Sequence, residues 1–155
     1  NLAAGMDELH TAHGEVGASL VAAAMRGLDD VVLHMHKARE TRHQIVMFQF
    51  ADMMTACEVG AAFAAKAARL AEAGDPAAAT TAAMSRVFAR KVARMVGEGA
   101  ARCAFGLLDG ADAAALSAGG DLVAAVSARF APADMAGEWN DMAVVGDALK
   151  DEDGA

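Results

Sequence analysis

Apolar residues recur at steps of three and four along most of the chain, which is the spacing of one face of an α-helix. The clearest stretch covers residues 44–73, where polar and charged side chains occupy the opposite face. Its apolar positions are Val46, Phe50, Met53, Cys57, Ala61, Ala64, Ala68 and Ala71. Gly74 then suits a helix end that needs no Cβ, and Asp75-Pro76 suits the start of a following helix. We therefore predict a core helix over residues 44–73.

Two further long helices follow from the same spacing. Residues 6–37 keep an apolar stripe, and each of the glycines inside it costs about 1 kcal/mol relative to Ala. We expect neighbouring helices to approach closely at these glycines, with a break near Gly27 as the alternative. The charged segment 37–42 contains neither Gly nor Pro, so both a turn and a continuous helix stay open. The same spacing predicts the third helix over residues 76–104. Its expected buried side chains are Met84, Val87, Phe88, Met95 and Val96.

The pattern becomes shorter and more broken after residue 106. Asp109-Gly110 and Gly119-Gly120 predict turns, and Pro132 predicts a helix stop. Two shorter helices are then expected over residues 122–130 and 133–149. The sequence thus predicts an all-α fold, an antiparallel bundle of three long helices followed by two shorter ones, with residues 1–155 as a single domain. Because the first residue is Asn1 and not Met, we expect this domain to be a fragment of a longer chain.

Composition and charge agree with a helical bundle and limit its partners. The chain is 55% hydrophobic, with much alanine, 5% aromatic residues and two prolines, a mixture that favours closely packed helices. The net charge of −8 arises entirely after residue 106, where ten acidic residues face two basic ones. This acidic excess argues against nucleic acid or an anionic membrane as a partner of the last third. No uninterrupted apolar run reaches the roughly 18 residues of a membrane span.

Two cysteines, Cys57 and Cys103, fall within apolar helical patterns and do not form a disulfide framework. We therefore expect a cytoplasmic protein.

Arg86, Arg90 and Arg94 repeat at four-residue spacing and predict a basic ridge on the third helix. One interpretation is a solvated or salt-bridged face that meets Glu58, Glu72 or the acidic C-terminal segment. The other is an interaction ridge for a partner domain or an anionic group. Both stay open at this stage.

The five histidines and ten methionines raise the possibility of a metal or haem bundle. His10 and His13 share a helix face, and His34, His36 and His43 lie close together in sequence. No Glu-x-x-His or His-Glu-x-x-His run accompanies them, and methionines in helical apolar stripes are usually core residues. We expect no metal site and no catalytic residue, since phosphate-loop, nucleophile-elbow and Cys-x-x-Cys motifs are also missing from the sequence.

Two consecutive helices resemble those of a known family. Gln44 followed by Ala51-Asp52-Met53 is similar to the "Q…LADM" helix of acyl-CoA dehydrogenases. The sequence AMSRVFARKVARMVGEGAARCAFG at residues 83–106 is similar to that family's "AKxFASExA…AxQxxGG" helix, with a Gly-Asp-Pro turn between the two. The resemblance covers about residues 38–106. It implies the helical C-terminal domain that holds FAD across a dimer interface in this family.

The residues that the family uses to bind cofactor and substrate are replaced near the end of the first predicted long helix. The arginine that the resemblance implies eleven residues before Gln44 is Leu33. The phenylalanine and glycine that follow it in the family correspond to His36 and Lys37. No cofactor-binding residue is therefore expected in this segment.

The same replacement is found in and after the third predicted helix. The Gln and the first Gly of the family's "QxxGG" turn correspond to Arg102 and Phe105, and only Gly106 remains. The catalytic glutamate would fall near Arg129, with no Glu within several residues. The sequence thus resembles the family at packing positions but lacks the family's cofactor-binding and catalytic residues.

The chain resembles the extra, non-catalytic C-terminal domain of very-long-chain acyl-CoA dehydrogenases and their relatives more closely than it resembles the family's catalytic C-terminal domain. The resemblance implies a flavin-dependent parent protein of fatty acid metabolism that dehydrogenates acyl-CoA thioesters. This chain would then serve packing or oligomerisation against upstream catalytic domains or a second copy. The alternative is a stand-alone helical binding or adaptor bundle without enzymatic activity.

Overall fold

A computed structural model of the chain describes residues 1–108 and 112–153, and within these ranges it contains helices and no strand. The α-helices are α1 (Leu2–Ala12), α2 (Ala18–Lys37), α3 (Gln44–Glu72), α4 (Ala78–Phe105), α5 (Ala113–Ser127), α6 (Pro132–Met135) and α7 (Glu138–Asp153). Short 3-10 turns span Gly14–Val16 and Glu40–Arg42. The predicted all-α class is confirmed, with three long helices at the centre of the chain.

The core lies where α2, α3 and α4 pack against one another. α1 covers α2, α5 packs against α4 and α2, and α7 packs against α4. Small residues let the central helices approach closely, since a Cβ at Gly60 would meet Val21 Cγ2 at 3.2 Å and Val92 Cγ2 at 3.3 Å. Met35 and Met53 are among the largest fully buried side chains and fill the space between the alanine-rich faces.

The predicted core helix is confirmed as α3, and its apolar stripe is buried from Val46 to Ala68, while Ala71 is exposed. Gly74 has φ 64°, the left-handed conformation that glycine adopts without Cβ strain. The Asp75 carboxylate accepts a hydrogen bond of 2.8 Å from the Ala77 amide. α4 then begins at Ala78, two residues after the proline expected in its first turn.

The first predicted helix is wrong as a continuous element, because α1 ends at Ala12 and α2 begins at Ala18. Gly17 between them has φ 79°, and a Cβ there would meet Arg86 Cα at 3.2 Å. The Ser85 hydroxyl donates a 2.8 Å hydrogen bond to the Val16 carbonyl. The helix is therefore interrupted between α1 and α2 because the backbone lies directly on α4 at this point.

Gly27 confirms the expectation of close packing, since it lies inside α2 and a Cβ would meet Val96 Cγ1 at 3.2 Å. The segment 37–42 is a turn and not a continuous helix. Arg39 adopts φ 62° there, which ends α2 and reverses the chain towards α3.

The C-terminal part differs most from the prediction. The turn predicted at Gly119-Gly120 is wrong, since both residues lie inside α5, which begins at Ala113. Gly119 is needed there for close packing of α5 against Ala104 and Phe105. Pro132 begins α6, and the predicted helix 133–149 is divided at Gly137, whose φ is 79°. The turn predicted at Asp109-Gly110 lies outside the described residues.

Met84, predicted to be buried, is exposed because it faces the groove between α4 and α7.

By length and composition alone, α3 is apolar enough to cross a membrane, the one such helix in the described part of the chain. Its apolar inner face, which includes Phe50 and Met53, forms the bundle core.

Candidate functional site

The predicted basic ridge on α4 lies against α7. Asp141 of α7 bridges the first two arginines, since Arg86 Nε is 3.1 Å from both carboxylate oxygens and Arg90 Nη1 is 2.7 Å from Oδ2. Arg90 also donates hydrogen bonds to the backbone carbonyls of Asp134 and Ala136. The side chains of Arg90 and Asp141 are only 7% and 10% exposed. The pair is therefore a buried anchor between α4 and the C-terminal helices.

The third arginine of the ridge extends the anchor towards solvent. Arg94 donates two hydrogen bonds to the Glu138 carboxylate, at 2.9 and 2.7 Å. This pairing lowers the pKa of Glu138, against a smaller opposing effect of burial. Of the two interpretations of the ridge, pairing with the acidic C-terminal segment is the one that the structure confirms. A contact between the ridge and a partner stays a prediction.

Burial alone would raise the pKa of Asp141. The hydrogen bonds from Arg86 and Arg90, with the charges of both arginines, outweigh burial and lower this pKa below its usual value. Asp141 therefore stays ionised at neutral pH and acts as a structural counter-ion.

The positions that correspond to the family's cofactor and substrate residues lie at the C-terminal ends of α2 and α4. These two ends meet at a cavity of about 480 Å³, whose described lining includes His34, Lys37, Cys103, Leu107 and Asp112, the N-cap of α5. The structure thus brings the two sequence segments together. Leu33, where the family has arginine, is half exposed and offers no hydrogen-bond donor from its side chain.

The donors at these positions do not fit FAD. Arg102 forms an ion pair of 2.6 Å with Glu98 one turn earlier on α4, and Phe105 packs on Gly119 of α5. Arg129, near the position of the catalytic glutamate, forms an ion pair with Asp30 of α2. A cation at this point cannot act as the general base of the family's reaction. We therefore derive no chemical step through a flavin on this chain.

Two of the histidines pair with carboxylates. His13 Nε2 is 2.9 Å from Glu72, and His43 Nε2 is 2.9 Å from Glu40. Among the side chains described, those of residues 1–108 and 112–150, no three His, Cys, Asp or Glu are grouped as metal ligands. The cysteines are free and buried, and burial raises the pKa of Cys57 to about 11.

An apolar groove of about 490 Å³ lies between α3, α4 and α7 and was not predicted from the sequence. Its walls include Phe63, Phe88 and Leu149, and its charged members are Lys91 and Arg94. The helical stripes predicted these residues only as members of separate helices. The groove arises because α7 packs over α4, and the buried Arg90–Asp141 ion pair joins the two helices.

A second unpredicted feature is an exposed apolar patch where α3 begins and α4 ends. Ile45 and Phe48 of α3 are 59% and 55% exposed, and Leu107, which follows α4, lines a shallow pocket together with Ile45. We call Ile45, Phe48 and Leu107 the end patch. Apolar side chains grouped in this way commonly mark an interaction surface.

Comparison with known proteins identifies the family. The model of the family described as "Acyl-CoA dehydrogenase, C-terminal domain" matches residues 2–106, so the match begins well before the region in which the sequence resemblance was found. No curated protein and no solved structure matches the chain. The matched residues comprise α1 to α4 and thus the whole central bundle. The chain belongs to the acyl-CoA dehydrogenase family, whose C-terminal helical domain it contains.

Proposed function

We propose that this chain is a non-catalytic helical domain of a flavin-dependent acyl-CoA dehydrogenase and that it serves packing and assembly. The observation that carries the proposal is the replacement of the family's working residues at all the compared positions except Gly106. Their substitutes are used in internal contacts, such as the ion pair of Arg129 with Asp30 and the packing of Phe105 on Gly119. The whole protein would remove an α-proton from an acyl-CoA thioester and transfer a hydride to FAD bound by its other domains.

The end patch supports the role in assembly. Exposed apolar side chains lose unfavourable contact with water when a partner covers them, at about 25 cal/mol per Å² of apolar surface buried. The proposed partners are the catalytic domains of the same protein or a second copy of the chain. A likeness to the extra C-terminal domain of the very-long-chain members, and a cytoplasmic location, are parts of the same proposal.

The test uses the full-length protein with Ile45→Glu and Phe48→Glu together. Both positions lie in the first turns of α3, where an added carboxylate agrees with the helix dipole and leaves the helix folded. The matched control is Ala114→Glu with Ser117→Glu, which are exposed and occupy the same positions relative to the start of α5. Sedimentation velocity measures assembly, and circular dichroism verifies helix content.

We expect the end-patch variant to lose the wild-type assembly or the association with the catalytic domains, while the α5 variant keeps both. Equal assembly of the end-patch variant, the α5 variant and the wild type would refute the proposed role of this surface.

A further inference from the structure

The groove between α3, α4 and α7 has the properties of a small-molecule site. Its volume of about 490 Å³ falls within the roughly 300–1,000 Å³ of typical ligand pockets. Met84, Val87 and Phe88 form the wall on α4, and Val145 and Leu149 form the wall on α7. We propose that this groove binds a single-chain amphiphile with an anionic head group, of the fatty carboxylate class.

The charges at the groove select the sign of the head group. Among the residues whose side chains are described, the lining consists of apolar residues, Gly146, Lys91 and Arg94, without a carboxylate. Arg94 is paired with Glu138, whereas Lys91 forms no ion pair with the described part of the chain. Lys91 Nζ lies 5.9 Å from the centre of the Phe88 ring, at the apolar wall itself. A carboxylate at Lys91 would therefore leave its alkyl chain in contact with Phe88.

The apolar lining also determines what kind of molecule fits in the groove beyond the cations Lys91 and Arg94. A peptide in the groove would bury backbone N–H and C=O groups without partners, because the walls offer side chains of Met, Val, Phe and Leu. An alkyl chain has no polar groups to satisfy. Met84 and Met142 are flexible and polarisable, so these two walls can adapt to the chain. The lining thus favours an alkyl carboxylate over a peptide segment.

Gly146 allows the groove to be filled without disturbing the fold. A Cβ at this position would meet nothing within 4 Å, so Gly146→Leu places a side chain in the groove and also removes a helix-destabilising glycine. Gly120 of α5 is the matched control, since a Cβ there also meets nothing within 4 Å and the residue does not line the groove. Lys91→Gln tests the head-group contact, with Lys37→Gln on α2 as its control.

The experiment is calorimetric titration of the chain with dodecanoate below its micelle concentration. Octanoate and dodecyltrimethylammonium are compared with it, because they change the chain length and the head-group charge separately. Each buried methylene is expected to change the affinity about fourfold. We expect one dodecanoate per chain, bound at least about tenfold more tightly than either comparison ligand. Gly146→Leu should weaken binding at least about tenfold and Lys91→Gln about threefold or more, whereas both controls should match the wild type.

Several results would overturn the proposal. The proposal is refuted if the chain does not bind dodecanoate, or if it binds dodecyltrimethylammonium as tightly as dodecanoate. It is also refuted if Gly146→Leu binds dodecanoate as tightly as the wild type. Binding to anionic phosphatidylglycerol vesicles without binding of free dodecanoate would refute it as well. Circular dichroism of each variant verifies that it is folded. The inference does not depend on the proposed function, since the groove belongs to this chain alone and the assembly test uses a different surface.

Discussion

The buried counter-ion of α7 provides the sharpest prediction. Asp141→Asn keeps the size of the side chain but removes the negative charge shared by Arg86 and Arg90. It also replaces one accepting oxygen by an NH₂ group that faces a guanidinium donor. The variant therefore leaves two arginines without their counter-charge, one of them buried.

The size of the effect follows from the exposure of the three side chains. Removing one partner of a buried ion pair costs about 3–5 kcal/mol. Arg90 is buried and retains its hydrogen bonds to the carbonyls of Asp134 and Ala136, while Arg86 is 28% exposed and can be solvated. Both features reduce the cost. We therefore expect Asp141→Asn to lower the free energy of unfolding by about 3 kcal/mol.

Urea unfolding followed by circular dichroism measures this change, and hydrogen exchange shows whether α7 alone is released. Asp147→Asn is the matched control, because Asp147 lies on the same helix, is 75% exposed and forms a solvent-exposed ion pair of 3.1 Å with Lys150. Its effect should stay within about 0.5 kcal/mol. A change of similar small size in Asp141→Asn would refute the conclusion that the buried pair anchors α7.

Three further predictions test the core, the ion pair and a buried thiol. Gly99→Ala should destabilise the fold by about 1–3 kcal/mol in urea unfolding, because its Cβ would overlap Met53; Gly97→Ala, with no close neighbour, should not. Because the pKa of Asp141 is lowered in the folded state, its ionised carboxylate contributes fully to the free energy of unfolding above the unfolded-state pKa of about 3.9. This contribution is lost as the pH falls through the lower folded-state pKa. The difference in free energy of unfolding between wild type and Asp141→Asn should therefore shrink below about pH 4. Because burial raises the pKa of Cys57 to about 11, an aromatic disulfide reagent at about pH 8 should react with the native thiol at least about 100-fold more slowly than after unfolding; equal rates would contradict burial of the thiol.

The long amphipathic helices could be predicted from sequence because their apolar spacing arises from the core they form. The break at Gly17 could not, since Leu9, Val16 and Leu20 keep the helical spacing across it. The break becomes visible only when the chain is placed on α4, where Arg86 Cα approaches Gly17. Continuous periodicity therefore does not establish a continuous backbone.

The C-terminal part was harder to predict because tertiary contacts override local signals there. Gly119 suggested a turn, but it serves close packing of α5 on Ala104 of α4. Charge patterning predicted that acidic residues could meet the arginine ridge, yet no periodicity identifies Asp141 as the buried partner of Arg90. The groove is likewise invisible in sequence, since its walls come from three helices.

The proposed function requires that this domain, although it belongs to the acyl-CoA dehydrogenase family, does not itself bind FAD. Titration of the chain with FAD, followed by flavin absorbance and calorimetry and then by addition of an acyl-CoA, is the test of this requirement. The replacements at Leu33, Arg102 and Phe105 predict no binding of either ligand at micromolar concentrations. Saturable FAD binding with a micromolar Kd, on the order of 8 kcal/mol, would contradict the account and would mean that other residues have rebuilt the cofactor site.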